Sequence, residues 1–133
     1  MRPIVQCHGH FDLLHYGHFK HLKEASKLGY LVVTLTSGKY MSKPGHPIFT
    51  DEERLEMISS LRCVSQALIV DSAYPYEAID MVNPDIYVKG LEYEGRLAEF
   101  QYCFDRGIEV RFLGEKLYGS TILAKQSGIL QIA

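Results

Sequence analysis

The residues best suited to chemistry stand close together near the start of the chain. Four histidines, His8, His10, His15 and His18, fall within eleven residues. His15 and His18 are three positions apart at a predicted helix start, so their side chains share one face of that helix. A helix start presents free N–H groups and the positive end of the helix dipole, which suit an anion such as phosphate. Two imidazoles beside such an anion could donate hydrogen bonds to charge that develops on a phosphoryl group.

Two other interpretations of these histidines remain open. The four imidazoles could converge on a metal ion, although no paired cysteine or adjacent carboxylate completes a ligand set. Alternatively, the histidines only cap the helix and fill space. The interleaved glycines Gly9 and Gly17 favour a ligand site over this last interpretation, because Gly9 lets the backbone approach a bound molecule closely.

The elements that must position these residues alternate between strand and helix. A helix opens at Thr50, where Thr50 and Glu53 form a capping box, and a last helix begins near Ser120. The predicted strands are 4–7, 30–36, 66–70, 86–89 and 108–113, and the other predicted helices are 17–28, 76–82 and 96–106. The helix at 96–106 is expected to bury Leu97, Phe100 and Phe104.

This alternation predicts an α/β fold. We expect a single Rossmann-like domain over residues 1–133, with a five-stranded parallel sheet and helices on both faces. Ligands in such sheets bind beyond the carboxyl ends of the strands, where the strand order reverses. The loops that follow the strands are therefore the expected location of the functional site.

Composition narrows the class of protein. The chain has 133 residues, of which 47% are hydrophobic and 23% charged, which excludes a disordered or fibrous chain. A net charge of -2 disfavours an electrostatic nucleic-acid binder. No apolar run approaches the roughly 18 residues of a membrane span, and the start lacks a secretion signal, so we expect a cytoplasmic protein without a membrane partner. The three cysteines are far apart, which argues against a disulfide framework.

Several motifs together carry a resemblance to a known family. Residues 9–18, which end in the HxGH sequence His15-Tyr16-Gly17-His18, resemble the GxFDxxHxGH segment of cytidylyltransferase-like nucleotidyltransferases. Residues 43–48 with Glu53-Arg54, and residues 85–90 with Tyr93, resemble the nucleotidyltransferase domain of ADP-heptose synthases. The chain length is similar to that of glycerol-3-phosphate cytidylyltransferase, and Gly119-Ser120-Thr121 resembles a C-terminal motif of the family.

The resemblance implies a reaction. A small phosphorylated acceptor, a polyol or sugar phosphate, attacks the α-phosphorus of CTP or ATP, and pyrophosphate leaves. Members of the family use Mg²⁺ and no covalent intermediate, so catalysis depends on positioning and electrostatic stabilisation. The resemblance also implies a homodimer.

The resemblance further implies roles for individual residues. Glu115 stands where glycerol-3-phosphate cytidylyltransferase carries an arginine, so a nucleotide-binding protein without catalytic activity is an alternative. A metal-dependent hydrolase that uses the histidine cluster is a second alternative. The implied roles are catalysis for His15, His18 and Lys43, nucleotide binding for Gly9, His10, Phe11, Gly17, Lys89, Gly90, Ser120 and Thr121, and contact with phosphate or acceptor for Asp12 and Arg54.

Overall fold

Five parallel strands form one sheet, which confirms the predicted fold class. The computed structural model describes residues 2–114, so Glu115, Ser120, Thr121 and the predicted last helix lie outside the described residues. The strand order is β3-β2-β1-β4-β5 and every neighbouring pair is parallel. The strands are β1 (Ile4–Gly9), β2 (Tyr30–Thr36), β3 (Gln66–Val70), β4 (Ile86–Gly90) and β5 (Glu109–Leu113).

The strand order places a reversal point at the centre of the sheet. The chain moves outward from β1 through β2 to β3, then crosses back to β4 on the other side of β1. Ligands of open α/β sheets bind at such a reversal, beyond the carboxyl ends of the strands. The carboxyl ends of β1 and β4 are therefore the centre of the expected site.

Helices cover both faces of the sheet. They are α1 (Tyr16–Ser26), α2 (Asp51–Ser59), α3 (Pro75–Val82) and α4 (Phe100–Asp105), with short 3-10 turns at Gly38–Tyr40 and Leu91–Tyr93. None of the helices within residues 2–114 combines the length and apolar character that a membrane span requires.

Two apolar clusters hold these helices to the sheet. One contains Leu22 of α1 and Ile58 of α2, and the other contains Ile79 of α3 and Cys103 of α4. Successive residues of a strand point to opposite faces, and the neighbours Tyr87 and Val88 of β4 accordingly belong to different clusters. β2 is buried along almost its whole length, as expected for a strand covered on both faces.

The predicted capping box of α2 is confirmed. Thr50 Oγ1 accepts a hydrogen bond from the Glu53 N–H at 3.0 Å, and Glu53 Oε1 accepts one from the Thr50 N–H at 2.9 Å. The pair satisfies two N–H groups that a helix start otherwise leaves unpaired. It fixes where α2 begins after the long loop that follows β2.

The prediction of a helix over 96–106 is wrong in its first half. The residues between the Leu91–Tyr93 turn and Phe100 form turns, and α4 has only six residues. Phe100 and Phe104 are 43% and 67% exposed, whereas Leu97 and Cys103 are buried. The spacing of the aromatic residues suggested a core face, but so short a helix packs through Cys103 and leaves both phenylalanines at the surface.

Candidate active site

The carboxyl ends of the five strands open into one cleft. Its volume is about 1070 Å³, and it is lined by residues 8–13 at the end of β1, 40–44 after β2, 73 and 75 after β3, 89 and 90 of β4, and 113 and 114 at the end of β5. The cleft thus lies where the predicted topology places a ligand. All six histidines of the chain line it: His8, His10, His15, His18, His21 and His46.

His15 caps α1 through its imidazole. Its Nδ1 atom accepts hydrogen bonds from the Gly17 N–H at 2.9 Å and the His18 N–H at 3.4 Å. His18 reciprocates, because its Nδ1 atom accepts from the His15 N–H at 3.4 Å. The two histidines therefore form a capping box in which imidazoles take the places usually held by a hydroxyl and a carboxylate.

This arrangement fixes the tautomer of the His15 ring. A neutral imidazole that accepts through Nδ1 carries its proton on Nε2, so His15 presents an Nε2–H donor. Burial lowers the pKa of His15, and burial together with the neighbouring His15 and His21 lowers the pKa of His18 to about 4. Near neutral pH both rings are uncharged, and they stack with centroids 3.9 Å apart.

The structure corrects one expectation about this helix start. The N–H groups of Gly17 and His18 bond to the His15 ring and are not free for an anion. The donor available to a ligand comes instead from the His15 imidazole. His15 Nε2 is buried and has no hydrogen-bond partner among the described residues. A buried donor without a partner costs free energy, so a ligand atom is the natural acceptor.

Lys89 closes the floor of the cleft between β1 and β4. Its Nζ atom donates a hydrogen bond to the His8 carbonyl at 2.9 Å and lies 5.3 Å from the centre of the Tyr93 ring. Burial lowers the pKa of Lys89 below its usual range, while Glu99 opposes that shift. The predicted nucleotide-binding residues Lys89 and Gly90 thus lie at the reversal point of the sheet.

Asp12, which is predicted to contact phosphate or acceptor, lines the cleft and also holds the loop after β2. Its carboxylate accepts hydrogen bonds from the N–H groups of Ile48 at 2.8 Å and Phe49 at 3.1 Å. His46 Nδ1 lies 2.5 Å from Asp12 Oδ2. Burial raises the pKa of Asp12, but these hydrogen bonds outweigh it and hold the pKa below its usual range. Asp12 therefore organises the loop after β2, and its contact with phosphate or acceptor stays a prediction.

Arg54 is likewise predicted at a phosphate, and the structure places it elsewhere. The side chain is fully buried and does not line the cleft. Its guanidinium donates to the His10 carbonyl at 2.8 Å and to Asp51 Oδ1 at 2.6 Å. Sequence patterns show a charged residue on a helix but not which face is covered. Arg54 therefore ties α2 to the loop after β1.

The remaining predicted residues divide between the surface and the walls of the cleft. Lys43 is exposed on the loop after β2 and lines the cleft, as does the exposed His10. Phe11 has a positive φ of 48°, a backbone conformation that residues other than glycine rarely adopt. The centres of the Phe11 and His18 rings are 5.3 Å apart, in an edge-to-face arrangement. A Cβ atom at Gly9 would lie 3.1 Å from the Phe11 ring, so a larger residue would require that ring to shift.

The sequence analysis missed several cleft residues. His21 follows His18 by one helical turn, so the same three-residue spacing that singled out His15 and His18 could have found it. His46 entered only as part of a motif. Glu99 carries no such signal, because it belongs to the stretch wrongly assigned to a regular helix.

The metal-site interpretation gains no support from the part of the chain described. No group of three or more His, Cys, Asp or Glu side chains within residues 2–114 is arranged to hold a metal ion. His8, one of the four candidate ligands, has its Nδ1 atom 2.9 Å from Thr34 Oγ1 and its Nε2 atom 3.4 Å from Thr36 Oγ1. Both ring nitrogens are therefore occupied within the sheet.

Comparison with known proteins agrees with this geometry. The family described as cytidylyltransferase-like matches residues 7–112. The bifunctional protein HldE of Aliarcobacter butzleri is 34% identical over 125 residues, which cover 91% of this chain and 26% of that protein. HldE of Nitratiruptor sp. is 39% identical over 99 residues, which cover 71% and 21% respectively. The chain spans between a fifth and about a quarter of the length of these relatives.

Solved structures share the same architecture. A lipopolysaccharide core biosynthesis protein from Thermoplasma volcanium superimposes with a TM-score of 0.72 at 29% identity, covering 85% of this chain and 97% of that one. A bifunctional NMN adenylyltransferase/ADP ribose pyrophosphatase from Francisella tularensis has a TM-score of 0.65 at 16% identity, covering 96% and 42%. The second likeness shows a common fold.

Proposed function

Because this chain belongs to the cytidylyltransferase-like family, we propose that it is a nucleotidyltransferase. It transfers CMP or AMP from CTP or ATP to a small phosphorylated acceptor and releases pyrophosphate. An oxygen of the acceptor phosphate forms a bond to the α-phosphorus as the bond from that phosphorus to the bridging oxygen of pyrophosphate breaks. No covalent intermediate with the protein is needed, so the protein contributes position and electrostatic stabilisation.

The paired imidazoles of α1 carry this proposal. His15 presents a neutral Nε2–H donor that has no partner within the described chain, and the His18 ring stacks against it. Charge accumulates on the phosphate oxygens and on the leaving pyrophosphate in the transition state. Fixed donors lower the energy of that state because they need no reorganisation as the charge develops.

Two lysines supply positive charge on either side of these histidines. Lys89 lies half-buried at the reversal point, where the nucleotide is expected to bind, and Lys43 lies on the exposed loop after β2. The loop that carries Lys43 is held by the hydrogen bonds to Asp12. Lys43 then approaches the phosphates from the side of β2 once the substrates are bound.

Magnesium enters this reaction with the substrate. The carboxylates of Asp12 and Glu99 in the cleft accept hydrogen bonds from protein donors, and no three His, Cys, Asp or Glu side chains within residues 2–114 are grouped to hold a metal ion. Mg²⁺ characteristically binds through substrate phosphates and retains water ligands. We therefore propose that the nucleotide arrives as its Mg²⁺ complex.

For the acceptor we favour a sugar phosphate over a polyol phosphate. The motifs at residues 43–48 and 85–90 resemble ADP-heptose synthases, and the similar Thermoplasma protein acts in lipopolysaccharide core biosynthesis. We likewise propose a homodimer on the strength of the resemblance, which a solution mass of about twice 15.1 kDa would support.

A screen for pyrophosphate release tests the proposal. Purified protein is incubated with Mg²⁺, each of CTP, ATP, GTP and UTP, and a panel of sugar and polyol phosphates. We expect release that requires both CTP or ATP and one acceptor class. Binding of nucleotide without release under any combination would instead identify a nucleotide-binding protein without catalytic activity.

A further inference from the structure

A buried carboxylate lies in a cleft that is proposed to bind a polyanion. Glu99 is 6% exposed, lines the cleft on the side of β4 and β5, and accepts a hydrogen bond from the Tyr87 hydroxyl at 2.7 Å. Tyr87 itself is fully buried. A carboxylate near phosphates weakens their binding by repulsion, and a buried charge is costly unless an opposite charge compensates it. A positive charge near Glu99 is therefore expected to compensate its carboxylate.

Lys89 and Glu99 line the same cleft. Tyr87, which bonds to Glu99, and Lys89 are two residues apart on β4, so their side chains point to the same face of the sheet. Lys89 forms no salt bridge within 4.0 Å among the residues described, and its one hydrogen bond goes to the uncharged His8 carbonyl. Burial alone would favour loss of its proton. Of the groups that oppose this effect, Glu99 contributes most, ahead of Cys7 and Glu92.

The other groups around Lys89 cannot replace Glu99. The Cys7 thiol is buried, and its pKa is raised to about 12, chiefly by burial, so it is uncharged near neutral pH. Glu92 is exposed, where water screens its charge. The groups that interact with Lys89 from the surrounding elements are Cys7, His8 and His10 from β1 and its loop, His21 from α1, Glu92 and Tyr93 after β4, and Glu99 before α4.

We propose that Glu99 is a positioning residue that keeps the half-buried Lys89 ammonium charged at the cleft. Tyr87 holds the Glu99 carboxylate in place from within the core. That a charged Lys89 helps to bind phosphate rests on the function proposed above. The effect of Glu99 on the protonation of Lys89 does not depend on that function.

The first test measures Lys89 in the protein without nucleotide. The ¹³Cε signal of Lys89, assigned by its loss in Lys89→Arg, is followed by NMR as pH rises. Glu99→Gln keeps an acceptor for Tyr87 but removes the charge, so Lys89 should lose its proton about one pH unit lower or more. In Glu99→Asp, which keeps the negative charge, Lys89 should lose its proton at a pH closer to that of the wild type. The control Glu94→Gln removes an exposed carboxylate outside the cleft and should leave Lys89 unchanged.

Equal titration of Lys89 in the wild type and folded Glu99→Gln would overturn the proposal. If Glu99→Gln fails to fold, the double variant Glu99→Gln/Lys89→Met decides. The proposal expects the double variant to recover folding, because it removes the unpaired half-buried cation together with its partner. A double variant that is also unfolded would mean that Glu99 serves the core through Tyr87 alone.

The second test follows CTP and ATP affinity against pH by calorimetry. The proposal expects the loss of affinity at alkaline pH to begin about one pH unit lower in Glu99→Gln than in the wild type. If Glu99 only repels phosphate, Glu99→Gln should bind nucleotide more tightly at every pH, and the pH at which affinity begins to fall should not change. That result would contradict the proposal. A wild type that binds neither nucleotide, combined with a displaced Lys89 titration, would refute the proposed function and leave the coupling standing.

Discussion

At the scale of single residues, we propose that His15 has two tasks, one for each nitrogen of its imidazole ring. Nδ1 caps the helix by accepting from the Gly17 and His18 N–H groups, while Nε2–H remains for a ligand. The cap forces the tautomer, and the tautomer provides the donor. A residue that only capped would not need a second nitrogen, so the two tasks can be separated by substitution.

His15→Asn tests this separation. Asparagine is a good N-cap but places no donor where Nε2–H lies, so thermal unfolding should stay within a few degrees of the wild type while turnover falls roughly 10²–10³-fold, the scale for loss of one fixed donor. His15→Ala should show the same loss of turnover and also lose about 1 kcal/mol of stability with the cap. Wild-type turnover in His15→Asn would return His15 to a purely structural role.

His18→Ala provides the companion prediction. The His18 ring lines the cleft beside His15, and its Nδ1 bond to the His15 N–H is long at 3.4 Å, so little stability depends on that bond. Turnover should fall roughly 10²–10³-fold with nearly unchanged unfolding. Lys20→Ala on the same helix is a matched control, since Lys20 lines the cleft but is not among the residues assigned to the reacting phosphates. An equal loss of turnover in both variants would contradict a specific role for His18.

At the scale of elements, the Arg54–Asp51 pair joins three segments that shape the cleft. Arg54 on α2 holds the His10 carbonyl after β1, and Asp51 accepts from the Ser37 hydroxyl and the Gly38 N–H after β2 at 2.9 and 2.8 Å. Desolvation raises the pKa of Asp51, but these donors and Arg54 reverse the shift and lower it. α2 therefore holds the loops after β1 and β2 in place through these hydrogen bonds.

Arg54→Ala should consequently behave as a loss of stability. Removing one partner leaves Asp51 and the His10 carbonyl short of donors, so the free energy of unfolding should fall by about 3 kcal/mol, measured by chemical denaturation. Arg54→Lys should lose less of the free energy of unfolding than Arg54→Ala but should not reach the wild-type value, because an ammonium group lacks the planar fork of donors of a guanidinium. An Arg54→Ala protein with unchanged stability and a raised Michaelis constant for nucleotide would restore the phosphate-binding role that the sequence suggested.

At the scale of the whole molecule, one cleft gathers every histidine in the chain. Burial and nearby Lys89 lower the pKa of His8 to about 4, and burial lowers the pKa of His18 to about 4 as well. In the unfolded chain both would bind protons near pH 6.5. Between pH 6.5 and 4 the unfolded state therefore holds more protons than the folded state, and stability must fall as pH falls.

This linkage predicts the pH dependence of unfolding. The melting temperature should decrease steadily from pH 7 to pH 4.5, and His8→Gln should show a shallower decrease, because one titrating group has been removed. Calorimetric scans across this range provide the measurement. A melting temperature that is constant between pH 7 and 4.5 would show that the histidines titrate alike in both states.

The sequence predicted the architecture better than the side-chain roles. Alternating patterns and the Thr50 capping box reflect local rules, so the order of the elements and the edge of the sheet that carries the site followed from them. The contacts of Arg54 and Asp12 could not be predicted from the sequence, because their partners are 44 and at least 34 residues away. Glu99 was missed because its place depends on a turn that replaced the predicted helix.

The measurement that bears most directly on the central claim traces the phosphates of the nucleotide. The protein is given Mg²⁺, acceptor and either CTP or ATP labelled at the α-phosphate or at the γ-phosphate. Attack at the α-phosphorus predicts that the α-label enters a product joined to the acceptor while the γ-label leaves as pyrophosphate, in equal amounts, and that His18→Ala slows both. Recovery of the γ-label as free phosphate, or of the α-label only in free CMP or AMP, would contradict nucleotidyl transfer by this cleft.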